Sequence, residues 1–190
     1  KNFFGWCMSE INNKKEDILV PFVDFSFQFS AEREFNKVEK KIFTQMCKIS
    51  DSSFKRKKKI GLLIVVGIFD NNDNHIVKGM RQIGVNPIQK YLNISNANFE
   101  EEVTKLLNQN YDGAYIVNRT GQILGAKVYL TVDKHLEVPD GCGTRHITAA
   151  SFSTKEDVLA VFTLSEETYM VRTWKNGNFV DQYMPEEEKE

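Results

Sequence analysis

A glycine-rich turn carries the densest group of potentially reactive side chains in this sequence. It reads Gly-Cys-Gly-Thr-Arg-His over residues 141–146, and helix-compatible residues follow it. Glycines let the backbone approach a ligand closely, and a helix that begins here directs free N–H groups at an anion. Thr144 adds a hydroxyl, Arg145 a two-pronged donor and His146 a ring donor. We therefore expect Gly143 and these three residues to hold a triphosphate, although a structural turn with an exposed arginine fits the same residues equally well.

An acidic residue precedes a predicted buried strand in the segment Asp112-Gly113-Ala114. A carboxylate at the junction of a helix and a strand can hold a divalent cation or orient a hydroxyl group. Asp before Gly is also a common turn sequence, and the residues alone favour that interpretation.

A second acidic segment, Ser165-Glu166-Glu167-Thr168, lies between two predicted strands. Taken alone it indicates an ordinary hairpin turn, in which carboxylates are usually solvated.

Cys142 and His146 are four residues apart and would share one face of a helix. A thiolate at a helix N-terminus can act as a nucleophile, so a Cys/His pair is one candidate chemistry. No third residue that would orient the imidazole is evident. His75 and His135 lie in polar turns, without metal-ligand spacing to a cysteine.

Helical periodicity appears in two segments that could support these residues. Ser30 is a candidate N-cap for a helix that runs to about Ile49, and Asn98 is a candidate N-cap for a second helix. The expected buried positions are Ala31, Phe35, Val38, Ile42, Met46 and Ile49 in the first helix, and Phe99, Val103, Leu106 and Leu107 in the second.

Strand-like patterns are more numerous. The range 60–69 is apolar throughout and rich in β-branched residues, as in a strand buried on both faces. The basic run 55–59 before it could contact a phosphate or an acidic surface, but a solvated approach to the strand is the favoured interpretation. Further strands are predicted over 18–29, 114–117, 123–131, 158–164 and 168–174, with a hairpin at Asn176-Gly177; 78–95 are expected to be irregular or a short helix. The fold class is therefore predicted to be mixed α/β, a central mixed β-sheet flanked by helices.

Length and composition indicate one soluble domain. The chain has 190 residues, 41% hydrophobic and 27% charged, with a formal net charge of -1. This balance argues against a general nucleic-acid binder, and the odd number of cysteines without CxxC spacing indicates reduced thiols in the cytoplasm. The longest apolar run is too short to cross a bilayer. Because the sequence begins at Lys1, it is expected to be a piece of a longer protein, whose other parts could include a membrane anchor.

Three of these segments, taken in order, resemble the diadenylate cyclase domain (DAC, or DisA-N) family. They are Asp112-Gly113-Ala114, then Gly143-Thr144-Arg145-His146, then Ser165-Glu166-Glu167-Thr168 followed by Lys175-Asn176-Gly177. The resemblance extends from about Ile60 to Gly177, and assigns residues 1–17 to an N-terminal extension, 18–182 to the domain and 183–190 to an acidic tail.

The resemblance implies an enzyme that condenses two ATP into cyclic di-AMP and two pyrophosphates, in a homodimer or higher oligomer. Tyr129 and Leu130 would hold adenine, residues 143–146 would hold the phosphates, and Ser165 with Glu166 or Glu167 would close the triphosphate side. Asp112 would hold Mg²⁺ or Mn²⁺ and serve the attack of the ribose 3′-hydroxyl on the α-phosphate of the facing ATP, and Gly113 and Ala114 would contact the substrate. No nucleic acid would be required.

The sequence departs from the family pattern at two positions, and the first of them leaves a second hypothesis open. Ile147 replaces a second arginine found in many members, and Tyr111 stands where membrane-tethered members often have a histidine. A domain that binds ATP or cyclic di-AMP without turnover is therefore the alternative.

Overall fold

The computed structural model describes residues 25–69, 79–88, 92–108 and 112–186. The elements in chain order are α1 (Phe25–Lys55), β1 (Leu62–Gly67), β2 (Met80–Gln82), α2 (Phe99–Asn108), β3 (Ala114–Asn118), β4 (Ile123–Leu130), α3 (Thr144–Phe152), β5 (Val158–Leu164), β6 (Val171–Lys175) and β7 (Asn178–Tyr183).

The strands form one seven-stranded sheet in the order β2-β4-β3-β1-β5-β6-β7. β1 pairs with β3 in parallel, and every other neighbouring pair is antiparallel. Helices α1 and α2 pack on one face of the sheet, and α3 packs on the other. The predicted mixed sheet flanked by helices is confirmed.

The central strand β1 explains why both faces are covered. All six of its residues are buried. Leu62, Ile64 and Val66 join the cluster that contains the α1 and α2 side chains, whereas Leu63 and Val65 join the cluster beneath α3. A continuously apolar strand exposes hydrophobic side chains on alternating faces, so helices on both sides are needed to remove them from water.

Strand directions bring distant segments of the chain to one edge of the sheet. The parallel strands β1 and β3 begin at this edge, and their antiparallel neighbours β5 and β4 end there, as the pairs Leu62–Leu164 and Ala114–Val128 show. Gly61, the Asp112-Gly113 segment, Leu130 and Ser165 therefore lie along the same edge.

The strand expected over 18–29 is wrong in the part of that range that the structure describes. Residues 18–24 lie outside the described residues, and residues 25–29 belong to α1, so Ser30 lies inside the helix rather than at its N-cap. Phe25 and Phe29 are four residues apart, a spacing that fits a helix as well as a strand. The helix also continues past Ile49 to Lys55.

The other predicted boundaries differ less from the observed ones. Residues 80–82, expected to be irregular or helical, form the short strand β2, and β6 begins at Val171 rather than 168. Asn98 precedes α2 as expected, and its carbonyl accepts a hydrogen bond from the Glu102 N–H at 3.0 Å. The hairpin at Asn176-Gly177 is confirmed by positive φ values of 48° and 79° between β6 and β7. Residues 1–17, His75, Tyr111 and 187–190 lie outside the described residues.

Candidate active site

A cavity of about 280 Å³ lies at the sheet edge where these segments meet. Three sequence segments with predicted roles line it: residues 112–114 before and in β3, residues 128–130 at the end of β4, and the first turn of α3. The lining residues are Leu63, Ile83, Asp112, Gly113, Ala114, Val128, Tyr129, Leu130, Thr144, Arg145 and Thr148. The structure therefore unites seven of the predicted site residues in one cavity.

Backbone geometry fixes Asp112 at the rim of the cavity. Gly113 has a φ of 118°, and a β-carbon at this position would lie 3.0 Å from backbone atoms of Lys127. Glycine is therefore required immediately before β3, where the chain passes the backbone of Lys127, a residue of β4 with a positive φ of 61°. Oδ1 of Asp112 accepts a hydrogen bond from the Gly113 N–H at 2.8 Å, and the carboxylate remains exposed.

The N-terminus of α3 is open toward solvent at the same edge. Gly143 is the N-cap residue, with no side-chain hydrogen bond to the first turn, and that turn contains no acidic residue. Gly143 and Thr144 are exposed. An uncapped helix start leaves amide donors and the positive end of the helix dipole available to an anion.

Arg145 is held against the start of β1. Its guanidinium group occupies the space that a β-carbon at Gly61 would fill. Arg145 is half-buried and contributes to the cavity wall, so the sheet supports the guanidinium from behind while its other side faces the cavity.

His146 lies beneath the turn, outside the cavity lining. Its side chain is 5% exposed, its ring packs edge-on against Trp174 at 6.1 Å, and its buried Nε2 has no hydrogen-bond partner. Burial lowers the pKa of His146 to about 4, and the positive charges of Arg172 and Arg145 act in the same direction. The imidazole is therefore neutral at physiological pH, and its expected contact with a phosphate stays a prediction.

Tyr129 and Leu130 form the opposite wall. Leu130 packs against the core cluster beneath α3, whereas the Tyr129 side chain is 52% exposed. The guanidinium carbon of Arg81, directly across the β2–β4 pair, lies 5.6 Å from the centre of the Tyr129 ring. This arrangement leaves an aromatic surface at the mouth of the cavity, as a purine would require.

The predicted residues Ser165, Glu166 and Glu167 lie at the same sheet edge but do not line the cavity. The Ser165 hydroxyl accepts hydrogen bonds from the N–H groups of Glu167 at 3.3 Å and Thr168 at 3.2 Å, which stabilises their own turn. Both glutamates are exposed. Their expected contact with a triphosphate stays a prediction.

Cys142 is held by an arginine from the sheet. Nη1 of Arg172 donates a hydrogen bond to the Cys142 thiol sulfur at 3.0 Å, and Nε2 of His146 has no partner. The geometry therefore gives no support to a nucleophilic Cys/His pair. Cys142 and Ile147 line a second opening, a separate cavity of about 750 Å³ on the other side of the turn. Thr144 lines both cavities.

Positive charge is concentrated around the start of α3. Among the described residues, no carboxylate forms a salt bridge with Arg145 or Arg172. Two half-buried guanidinium groups without a protein counter-ion attract an anion, and a phosphate group offers the bidentate geometry that arginine prefers.

Within the described ranges, no cluster of three or more His, Cys, Asp or Glu side chains could hold a metal by itself. Asp112 is the one carboxylate among the described cavity residues. This donor set fits Mg²⁺ or Mn²⁺ bound together with a nucleotide, because Mg²⁺ commonly uses one or two carboxylates, water and substrate phosphates.

Comparison with known proteins places this geometry in a family. The model of the DAC family, described as "DisA bacterial checkpoint controller nucleotide-binding", matches residues 52–179. The chain belongs to this family.

Two curated relatives carry the name diadenylate cyclase. The protein from Methanocaldococcus jannaschii is 33% identical over 89 residues, which cover 46% of this chain and 28% of the relative. The protein from Haloferax volcanii is 24% identical over 131 residues, which cover 67% of this chain and 45% of the relative. The chain thus spans less than half the length of either relative.

Solved structures support the same fold. DacA from Staphylococcus aureus, a double mutant, superimposes with a TM-score of 0.51 at 24% identity, covering 76% of this chain and 87% of that chain. A structure from Bacillus cereus described as a hypothetical membrane spanning protein gives a TM-score of 0.53 at 25% identity, covering 78% of this chain and 63% of that chain. None of the described helices of the present DAC domain has the length and apolar character needed to cross a membrane.

Sequence reasoning missed several residues of this DAC domain. Thr148 follows Thr144 by one helical turn and could have been found from helical spacing. Arg172 lies in a strand that also contains Thr173 and Lys175, so its charge gave only a weak signal. Gly61 and Arg81 gave no local signal, because their roles arise from residues far away in the sequence.

Proposed function

We propose that this domain condenses two ATP molecules into cyclic di-AMP with release of two pyrophosphates. One observation carries the proposal: a single cavity contains Asp112, the Tyr129-Leu130 wall and the Thr144-Arg145 turn. These segments are far apart in the chain, and each supplies a different requirement of nucleotidyl transfer. Membership of the DAC family and the two relatives named diadenylate cyclase support the same reaction.

The turn at the start of α3 would bind the phosphates. Arg145 offers a planar pair of donors supported by Gly61, and Thr144 adds a hydroxyl beside the uncapped helix start. Transfer of this kind depends mainly on positioning and on neutralising phosphate charge. In this assignment Gly143 allows the phosphates to approach the backbone, and neutral His146 supports the turn from below.

The wall formed by Tyr129 and Leu130 would hold the adenine. The exposed Tyr129 ring supplies a surface for stacking, with Arg81 behind it, and the backbone of Leu130 can meet the edge of the base. Ser165 with Glu166 or Glu167 would approach the triphosphate from the neighbouring turn, as family resemblance implies.

Asp112 would act at the bond-forming atoms. A bound Mg²⁺ or Mn²⁺ would supply charge neutralisation at the phosphates and lower the pKa of the attacking hydroxyl. The exposed Asp112 carboxylate would help to hold the ion and orient the ribose 3′-hydroxyl of the facing ATP. The reaction has two equivalent steps. In each, the ribose 3′-oxygen forms a bond to the α-phosphorus, and the bond between that phosphorus and the oxygen bridging it to the β-phosphorus breaks. Pyrophosphate leaves, and the proton of the hydroxyl group is released.

Two protomers would be needed for each product molecule. The attacking hydroxyl and the attacked phosphate belong to different ATP molecules, each bound in its own cavity. Exposed Asp112 and Tyr129 at the cavity mouth are suitably placed to meet a facing copy. A homodimer or a higher homo-oligomer is therefore part of the proposal.

The test is incubation of the protein with ATP and Mg²⁺ or Mn²⁺, followed by chromatographic separation of the nucleotides. Cyclic di-AMP and pyrophosphate in a ratio of one to two are expected. ATP binding without a cyclic product would support the alternative, a binding module. That alternative is favoured by Ile147, which lines the second opening rather than the first cavity and adds no charge there.

A further inference from the structure

A single arginine from the sheet supports the turn that is proposed to bind phosphate. Arg172 lies in β6, paired with Thr163 of β5 and Gln182 of β7. Trp174, two residues later, is buried in the cluster beneath α3. Because side chains two residues apart point to the same face of a strand, Arg172 also faces α3.

The contact of Arg172 with Cys142 connects this strand to the turn. Its Nη1 donates to the thiol sulfur at 3.0 Å, across 30 residues of sequence. Cys142 lies between Gly141, whose φ is 82°, and Gly143, which has no atom within 4 Å of a β-carbon position. Because glycines flank Cys142 on both sides, the backbone of the turn has many accessible conformations. The contact with Arg172 of the sheet restricts the turn to fewer of them.

Arg172 also adds charge beneath the turn. Its positive charge and that of Arg145 both disfavour protonation of His146, so the two guanidinium groups approach this residue from different elements. In the described parts of the chain, neither has a carboxylate partner. Half-buried charge without a counter-ion is unfavourable until an anion binds.

We propose that Arg172 is a positioning residue of the phosphate-binding turn, which it fixes through Cys142 while supplying a second unneutralised cation beneath it. The inference rests on the proposed nucleotide site. It predicts that the contribution of Arg172 to affinity increases with the number of phosphates on the ligand, because adenosine does not reach the turn. A residue that only stabilised the fold would affect every ligand alike.

The test measures binding by calorimetry for adenosine, AMP, ADP and the non-cleavable analogue α,β-methylene-ATP, with Mg²⁺ present. For Arg172→Met, binding of the triphosphate analogue is expected to weaken about 10-fold, the range of a lost charge-assisted interaction, with adenosine unchanged. Arg172→Lys, which retains charge without the planar fork, is expected to lose less. Arg119→Met removes an exposed arginine from the β3–β4 turn and is the matched control.

A second pair of variants tests the thiol contact. Cys142→Ala removes the acceptor of the Arg172 hydrogen bond and is expected to weaken binding of the triphosphate analogue by a few-fold. In the Arg172→Met background the same substitution should have no further effect, because both changes remove one shared interaction. Cys142→Ala and Arg172→Lys keep the inference testable if Arg172→Met does not fold.

Equal losses for adenosine and the triphosphate analogue, or no loss with either Arg172 variant, would overturn the inference. So would a wild-type protein whose affinity does not rise with phosphate number. None of these measurements requires turnover. Wild-type protein that binds the analogue but forms no cyclic di-AMP would contradict the proposed cyclase and leave the result on Arg172 standing.

Discussion

The guanidinium group of Arg145 lies against the backbone of Gly61, in the space that a β-carbon at residue 61 would occupy. Gly61 stands immediately before the central strand β1, and Arg145 belongs to the first turn of α3. The contact therefore positions a cavity-lining cation against the residue that precedes β1, a strand that is buried along its whole length.

Gly61→Ala should displace Arg145 and weaken ATP binding about 10-fold, while the domain remains folded. Gly61 is not among the positive-φ glycines, so alanine fits its backbone conformation, and the nearest obstacle is the end of a flexible side chain. Calorimetry with α,β-methylene-ATP measures the loss. Gly125→Ala is the control, because its β-carbon would make ordinary contacts of 3.5 Å. Unchanged affinity in Gly61→Ala would show that this contact does not position Arg145 for phosphate.

Asp112→Asn should abolish cyclisation and leave ATP binding nearly intact. The amide oxygen can still accept the hydrogen bond from Gly113, so the local turn is preserved, but the charge proposed to hold the metal ion is lost. Product formation and ATP affinity should be measured on the same preparation. Asp157→Asn, an exposed aspartate immediately before β5, is the control. Cyclic di-AMP formed at the wild-type rate by the Asp112→Asn variant would remove Asp112 from the reaction.

His146 should make stability depend on pH. Its folded pKa of about 4 lies below the ordinary histidine value of 6.5, so the unfolded chain binds the proton first as pH falls. Stability is therefore fully present above about pH 6.5 and decreases toward pH 4, by an amount on the order of 3 kcal/mol. Urea unfolding of wild type and His146→Gln at several pH values measures this difference.

The appropriate control for that experiment is His135→Gln, because His135 is exposed. Protonation of carboxylates at low pH lowers the stability of all three proteins equally. The difference between them therefore measures the contribution of the buried imidazole to the pH dependence of stability. If His146→Gln loses stability between pH 6.5 and 4 as steeply as wild type, the ring is not held neutral in the folded protein.

Much of the fold was predictable from local patterns. The apolar run around β1, the stripe of α2 and the Asn176-Gly177 turn each reflect a periodicity or a backbone preference that acts within a few residues. The strand expected over 18–29 was wrong in residues 25–29, because phenylalanines at short spacing satisfy both periods and the continuation into a long helix decides between them.

Several residues that line the cavity were predictable from the sequence, but the residues that hold them in position were not. Asp112, Tyr129 and Arg145 were found from their types and from the family resemblance, and the structure brings them together. Gly61 and Arg172 depend on which strands are neighbours in the sheet, and strand order is a non-local property that one sequence does not reveal. The burial of His146 likewise follows from Trp174 on β6, far along the chain.

The dependence of turnover on protein concentration tests the central claim most directly. Cyclic di-AMP formation per protomer should be measured with saturating ATP and metal while the protein is diluted through its dimer dissociation constant, which sedimentation or light scattering gives independently. We predict that cyclic di-AMP forms, that turnover per protomer falls as the dimer dissociates, and that binding of α,β-methylene-ATP per protomer changes little. Absence of cyclic di-AMP at every concentration, or turnover per protomer that stays constant well into the monomeric range, would contradict an active site completed by two facing protomers.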